Sequence, residues 1–99
     1  MQQLVLHESQ VQINGDLLML DCYPLTQSMG LNAFSHLLCE TLATRPLELE
    51  QGADRQQCHF SFANSRWVLC IEQLCEAVWI EPLGAADLNN LRNTLLGLS

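Results

Sequence analysis

Five cysteines and three histidines are the side chains in this 99-residue sequence best suited to hold a metal or attack a substrate. His36 and Cys39 stand three residues apart, the spacing that puts two side chains on one face of a helix, and the adjacent Cys58 and His59 add a second soft pair. Zinc takes tetrahedral sets of such ligands. The spacing nevertheless favours a plainer role, because no Cys-x-x-Cys pair occurs, neighbouring strand residues point to opposite faces, and a buried cysteine packs as a small hydrophobe. The set His36, Cys39, Cys58 and His59 therefore stands as an alternative metal site, and no cofactor is expected.

A nucleophilic cysteine needs a neighbouring base or a helix N-terminus to form its thiolate. Cys39 adjoins Glu40, and Cys75 lies between Leu74 and Glu76, acidic surroundings that push a thiol pKa up. Paired carboxylates occur as Glu48 with Glu50 and as Glu72, Glu76 and Glu81, but their alternation with apolar residues is that of a solvated strand face. No phosphate loop, Gly-rich dinucleotide turn, Gly-x-Ser-x-Gly elbow or His-Glu-x-x-His helix is present. His7, His36 and His59 read as surface or edge histidines, and Trp67 and Trp79 as sheet-packing aromatics. No catalytic residue emerges, and the expectation leans away from an enzyme.

Charge narrows the partners. Eleven acidic residues face four arginines (Arg45, Arg55, Arg66, Arg92) and no lysine, for a net charge of −7. Duplex binding needs a clustered basic patch that neutralises several phosphates, so nucleic acid is not an expected partner, and an anionic membrane is disfavoured for the same reason. Attraction to basic partners remains open. The cysteine count is odd, the N-terminal residues lack a cationic segment, and the longest apolar runs reach four or five residues. Reduced thiols in a cytoplasmic protein are the expectation.

The elements that must position these residues follow from periodicity. Leu4 to Leu6 with Val11 and Ile13 alternate as a first strand, and Asn14-Gly15-Asp16 is a two-residue hairpin signal leading into a second strand over Leu17 to Tyr23. From Ser28 the step changes to three and four, with Leu31, Phe34, Leu37, Leu38 and Leu42 on one helical stripe that ends before Pro46. Leu47 to Glu50, then Cys58, Phe60 and Phe62, alternate as half-buried strands, and Arg66 to Glu72 and Ala77 to Glu81 read as central ones. Ala85 to Leu98 closes the chain as a helix with Leu88, Leu91, Leu95 and Leu98 on one stripe and Asp87 in its first turn.

With 48% apolar and 15% charged residues, the sequence predicts a single domain over 1–99 with a packed core. The predicted class is α+β, two-layer: a mostly antiparallel sheet with two helices on one face, in the order β-β-α-β-β-β-β-α. The Asn14-Gly15-Asp16 hairpin, the Leu31 to Leu42 helix and the hairpin from Arg66-Trp67 to Trp79-Ile80 together resemble small acidic bacterial families of unknown function. That resemblance implies a fold and carries no catalytic residue. The chain is also similar, more distantly, to the secretion-chaperone type of fold, whose small acidic dimers bind a partner segment, but it lacks the opening helix of that type.

The functional expectation is a non-enzymatic protein-interaction or regulatory module, with a small-molecule or metal-binding protein built on the Cys and His residues as the alternative. Strand patterning locates the interaction face. Leu17 and Met19, Val68 and Cys70, and with them Trp79, fall on the side away from the helices. Two helices cover only one face of a wide sheet, so an apolar second face would need a cover, and a homodimer through it is expected.

Overall fold

The computed structural model describes residues 3–98. The hairpin signal is realised as strands β1 (Val11–Asn14) and β2 (Leu17–Leu20), in register Asn14↔Leu17 to Val11↔Leu20. Its loop is Gly15-Asp16, with positive φ at Gly15 alone (63°), the demand of a type II′ turn. Four more strands follow: β3 (Pro46–Gln51), β4 (Arg55–Phe62), β5 (Ser65–Glu72) and β6 (Ala77–Pro82). The β4–β5 loop, Ala63-Asn64, has φ of 53° and 65°, the paired positive values of a type I′ turn. All pairings are antiparallel, and the sheet runs β1-β2-β6-β5-β4-β3. The chain thus has the expected α+β class, with the strands in the expected order along the sequence.

The helical layer holds one element more than periodicity suggested. Strand β2 stops at Leu20 instead of continuing to Tyr23, because Pro24 sits in the first turn of a short helix, α1 (Tyr23–Met29), where its fixed φ suits helix entry. Gly30 then separates α1 from α2 (Leu31–Thr41) with φ 85° and ψ 161°, so the expected helix starts three residues later than Ser28. The closing helix, α3 (Leu88–Leu95), is shorter than Ala85 to Leu98. Asp87 is its N-cap, its carboxylate accepting from the Asn90 N–H at 3.1 Å, and Leu98 beyond it is exposed.

The predicted first strand over Leu4 to Leu6 does not form either. Its alternation is real, for Leu4 and Leu6 are buried and Val5 is exposed, but the segment joins the core without entering the ladder. The Leu4 N–H donates to Thr41 Oγ1 of α2 at 2.7 Å, and a single 3-10 turn (Glu8–Gln10) leads into β1. Between helices and sheet lies one core, with Phe34, Leu38, Phe60, Trp67, Leu69, Ile71, Ile80 and Leu91 essentially inaccessible. Helix α2 packs over β3 and β4, and α3 over β1 and β2, where the Arg92 Nε donates to the Val11 carbonyl at 3.1 Å. Among the described residues no helix is long and apolar enough to cross a membrane.

Candidate functional site

Alternation divides β5 between the two faces as expected. Trp67, Leu69 and Ile71 belong to the core under the helices, whereas Val68 and Cys70 face the other way. Cross-strand partners share a face, so Met19, Trp79, Cys70 and Gln57 stand side by side across four strands, and Val68 lies in the next row between Glu81 and His59. Leu17 and Met19 sit on this face of β2, and both are half-buried, as is Trp79.

The face is less apolar at its surface than strand patterning implies. Val68 and Cys70 are 2% and 0% exposed although no helix lies over them. The longer side chains on the flanking strands close over them. Gln57 Nε2 donates to Cys70 Sγ at 3.6 Å, and the Cys70 thiol donates to Glu81 Oε1 at 3.7 Å. Burial pushes the Cys70 thiol up to about 11, Gln57 acts against that rise, and the Glu81 charge adds to it. Arg55 reaches over the face with its guanidinium carbon 5.4 Å from the centre of the Trp79 ring, within the range of a cation–π contact, and its Nη2 lies 3.8 Å from Glu72 Oε2. The most exposed large apolar side chains include Val5 in the N-terminal segment, Leu47 on the edge strand β3 and Leu74 in the β5–β6 turn, and others stand on β1, on α1 and after β6 and α3.

The Cys and His set is divided by the sheet. Cys39 on α2 and Cys58 on β4 meet in the core, both fully buried. Pairing with Cys58 holds the Cys39 thiol far above its ordinary range, with burial adding to the rise, and makes Cys58, whose thiol donates to the His59 carbonyl at 3.7 Å, the lower of the pair. The buried Ser35 hydroxyl has no formed hydrogen bond and leans on the Cys58 thiol, lowering it further. His36 is exposed on the outer side of α2, and His59 lies on the helix-free face opposite Val68. Among the described residues no three His, Cys, Asp or Glu side chains converge to hold a metal ion.

All five cysteines are free thiols, and only Cys75 is exposed. Its thiol donates to Glu72 Oε1 at 3.4 Å, and that hydrogen bond, with the Glu72 charge behind it, raises its pKa. The acidic effect foreseen at Cys75 thus comes from Glu72 on β5, across the turn, rather than from its neighbour Glu76. Two surface clefts, of about 800 and 550 Å³, lie beside the β1–β2 turn and the β4–β5 turn. Asp16 and Glu81 line the first and Arg66 the second, and neither is lined by a thiol or an imidazole.

Gln57 was not singled out by residue type, and Arg55 and Glu81, which shape the helix-free face with it, entered only as one of four arginines and as a solvated carboxylate. Their signal is positional, since 55, 57, 59 and 61 alternate with the core positions of β4 and so must all face away from the helices. In comparison with known proteins, residues 6–99 match the model of the family described as protein of unknown function (DUF3630). No curated protein and no solved structure matches the chain.

Proposed function

The chain belongs to DUF3630, a family whose description assigns no activity, and we propose from its geometry that it is a non-enzymatic protein-interaction module working through the helix-free sheet face, with a second copy of itself as the occupant. The observation that carries this reading is the half-buried Trp79 at the centre of that face, with Met19 beside it and Arg55 over it. Tryptophan, methionine and arginine are the residue types enriched where proteins meet, and a central aromatic ringed by polar groups is the anatomy of a hot spot. The face carries both signs of charge, Arg55 and Arg66 against Glu72 and Glu81, with Glu48 and Glu50 at its β3 rim. A two-fold contact brings such a surface against itself and lets the cations of one copy meet the anions of the other.

The area is adequate. Six strands at about 4.8 Å and some six residues at about 3.3 Å give on the order of 600 Å² before corrugation, close to the roughly 800 Å² per partner of a standard interface. Five free thiols suit a reducing compartment, which supports a cytoplasmic setting. The soft ligands offer less to a metal-binding reading, because His36 and His59 lie apart from the buried Cys39–Cys58 pair.

Sedimentation at micromolar concentration tests the reading. A species of about twice the 11.1 kDa chain mass is expected, dissociating on dilution. Met19→Glu places a charge beside Trp79 and should give monomers, whereas His36→Gln, on the outer side of α2, should leave the dimer intact. A one-chain mass with no concentration dependence would overturn the proposal.

A further inference from the structure

The two edges of the sheet are finished differently. The β1 edge is four residues long, and its Val11 carbonyl is already taken by Arg92. The β3 edge is six residues long, and among the described residues no strand pairs with its outer side. The phase of its ladder follows from the turn that ends it, where the Gly52 N–H donates to the Arg55 carbonyl at 2.8 Å. Antiparallel bonding alternates, so Glu50 and Glu48 bond to Gln57 and His59, while Leu49 and Gln51 turn their N–H and C=O groups outward. The β4–β5 register agrees, since Cys58 and Phe60 are the β4 residues that turn toward β5.

Side chains on this edge are sorted as sharply as its backbone. Leu47 and Leu49 are 50% and 40% exposed, and Leu49 shares the helix side of the sheet with Cys58. Glu48 and Glu50, both exposed, lie on the helix-free side beside the half-buried His59 and Gln57. An open edge with apolar residues is a template for another strand, which folded proteins usually block with lysine, proline or a cover. Here Pro46 and a register shift before Glu48 disrupt only the first residues.

A second copy does not fit this edge. Every antiparallel register in which Leu49 meets Leu47, Leu49 or Gln51 of another chain places a glutamate directly across from a glutamate, an arrangement that destabilises a strand pair. The same carboxylates welcome a strand of opposite charge. We propose that β3 accepts an extended segment of a different protein as a seventh strand, with lysine or arginine at the alternate positions facing Glu48 and Glu50 and apolar side chains between them over Leu47 and Leu49. Main-chain bonds to Leu49 and Gln51 would give such a complex its affinity, and the alternation its selectivity. The backbone groups of this edge point along the sheet, but Glu48 and Glu50 lie at the rim of the helix-free face, so the two contacts are told apart by Met19→Glu, which should break the dimer and leave peptide binding to β3 intact.

The probe is an end-capped octapeptide of alternating valine and lysine, titrated into the full chain and followed by amide proton–nitrogen correlation spectra. Shifts and slowed hydrogen exchange are expected at Leu49 and Gln51. Charge reversal in Glu48→Lys/Glu50→Lys should weaken binding at least tenfold, and Glu48→Gln/Glu50→Gln should weaken it less. Leu49→Pro, which removes an N–H that β4 does not use, should abolish it. The charge variants keep the test open should the proline variant fail to show the native thermal transition. A peptide of the same composition with its lysines in one block should not protect Leu49. Equal binding of that block peptide, equal binding to the charge-reversed protein, protection confined to β1, or protection of Leu49 in the protein alone through self-pairing would each overturn the proposal.

Discussion

Replacing Gly30 by alanine isolates what the backbone contributes at the α1–α2 junction. Gly30 holds φ 85° and ψ 161°, a region that residues with a Cβ almost never occupy. A Cβ built there meets no atom within 4 Å, so no neighbouring group is displaced and the penalty is the local conformational strain alone. Strain of that type costs about 1–3 kcal/mol, and alanine returns about 0.4–1 kcal/mol by restricting the unfolded chain, leaving a net loss of about 1–2 kcal/mol. For a chain this short each kcal/mol moves the melting midpoint by roughly 4–8 °C, so a drop of about 5–15 °C is expected by calorimetry. Gly84→Ala is the matched control, because its Cβ also meets nothing within 4 Å and its φ is not positive. That variant should melt at or slightly above the wild-type midpoint. If Gly30→Ala melts within 2 °C of wild type, or together with Gly84→Ala, the junction does not depend on glycine and the reasoning is wrong.

Two further outcomes concern the thiols. Because Cys75 alone is exposed, a thiol reagent should modify one equivalent in the native protein and five in denaturant, and Glu72→Gln, which removes the group holding the Cys75 thiol up, should speed the first modification. Cys22 and Cys70 are both raised to about 11, chiefly by burial, while an unfolded thiol titrates near 8.5–9, so the folded state keeps these protons longer. Their contribution is complete below the unfolded pKa and disappears as pH climbs toward 11, at about 1.4 kcal/mol per pH unit for each thiol. Urea unfolding at pH 8 and 10.5 should show the decline, and Cys22→Ala/Cys70→Ala should make it shallower, leaving the part that belongs to Cys39. An unchanged slope in that variant would assign the alkaline loss to other groups.

Strands β4 and β6 were legible because a half-buried strand writes its burial as alternation, β3 because its leucines alternate with glutamates, and β5 because a central strand is an unbroken apolar run. The two-residue period then puts Val68 and Cys70 on the face opposite Trp67, Leu69 and Ile71. Helix α1 was not, since Pro24 looks like a break in sequence and becomes a helix start only once Thr26 is buried and α1 docks on α2. Leu4 and Leu6 show why a period of two is not proof of a ladder, for a segment can bury alternate side chains with its backbone tied to a helix hydroxyl. The screening of Cys70 by Gln57 and Glu81, and the meeting of Cys39 with Cys58, depend on register between strands and on helix placement. Those are relations among segments that no local pattern records.

The strand order also divides the chain in time. Strands β3 to β6 form a meander closed by short turns, each pairing with the next. The first two strands join it only where Leu18 meets Ile80 and Met19 meets Trp79, about sixty residues away along the chain. Closing a loop that long rather than one of four residues adds about four doublings, or about 2.4 kcal/mol of chain entropy, to that step. The meander is therefore expected to nucleate folding, with the β1–β2 hairpin docking late. Core substitutions at Leu69 or Phe60 should slow folding, while those at Leu18 should mainly hasten unfolding. The Arg92 bond to the Val11 carbonyl ties that late hairpin to α3, so Arg92→Ala should hasten unfolding more than it slows folding.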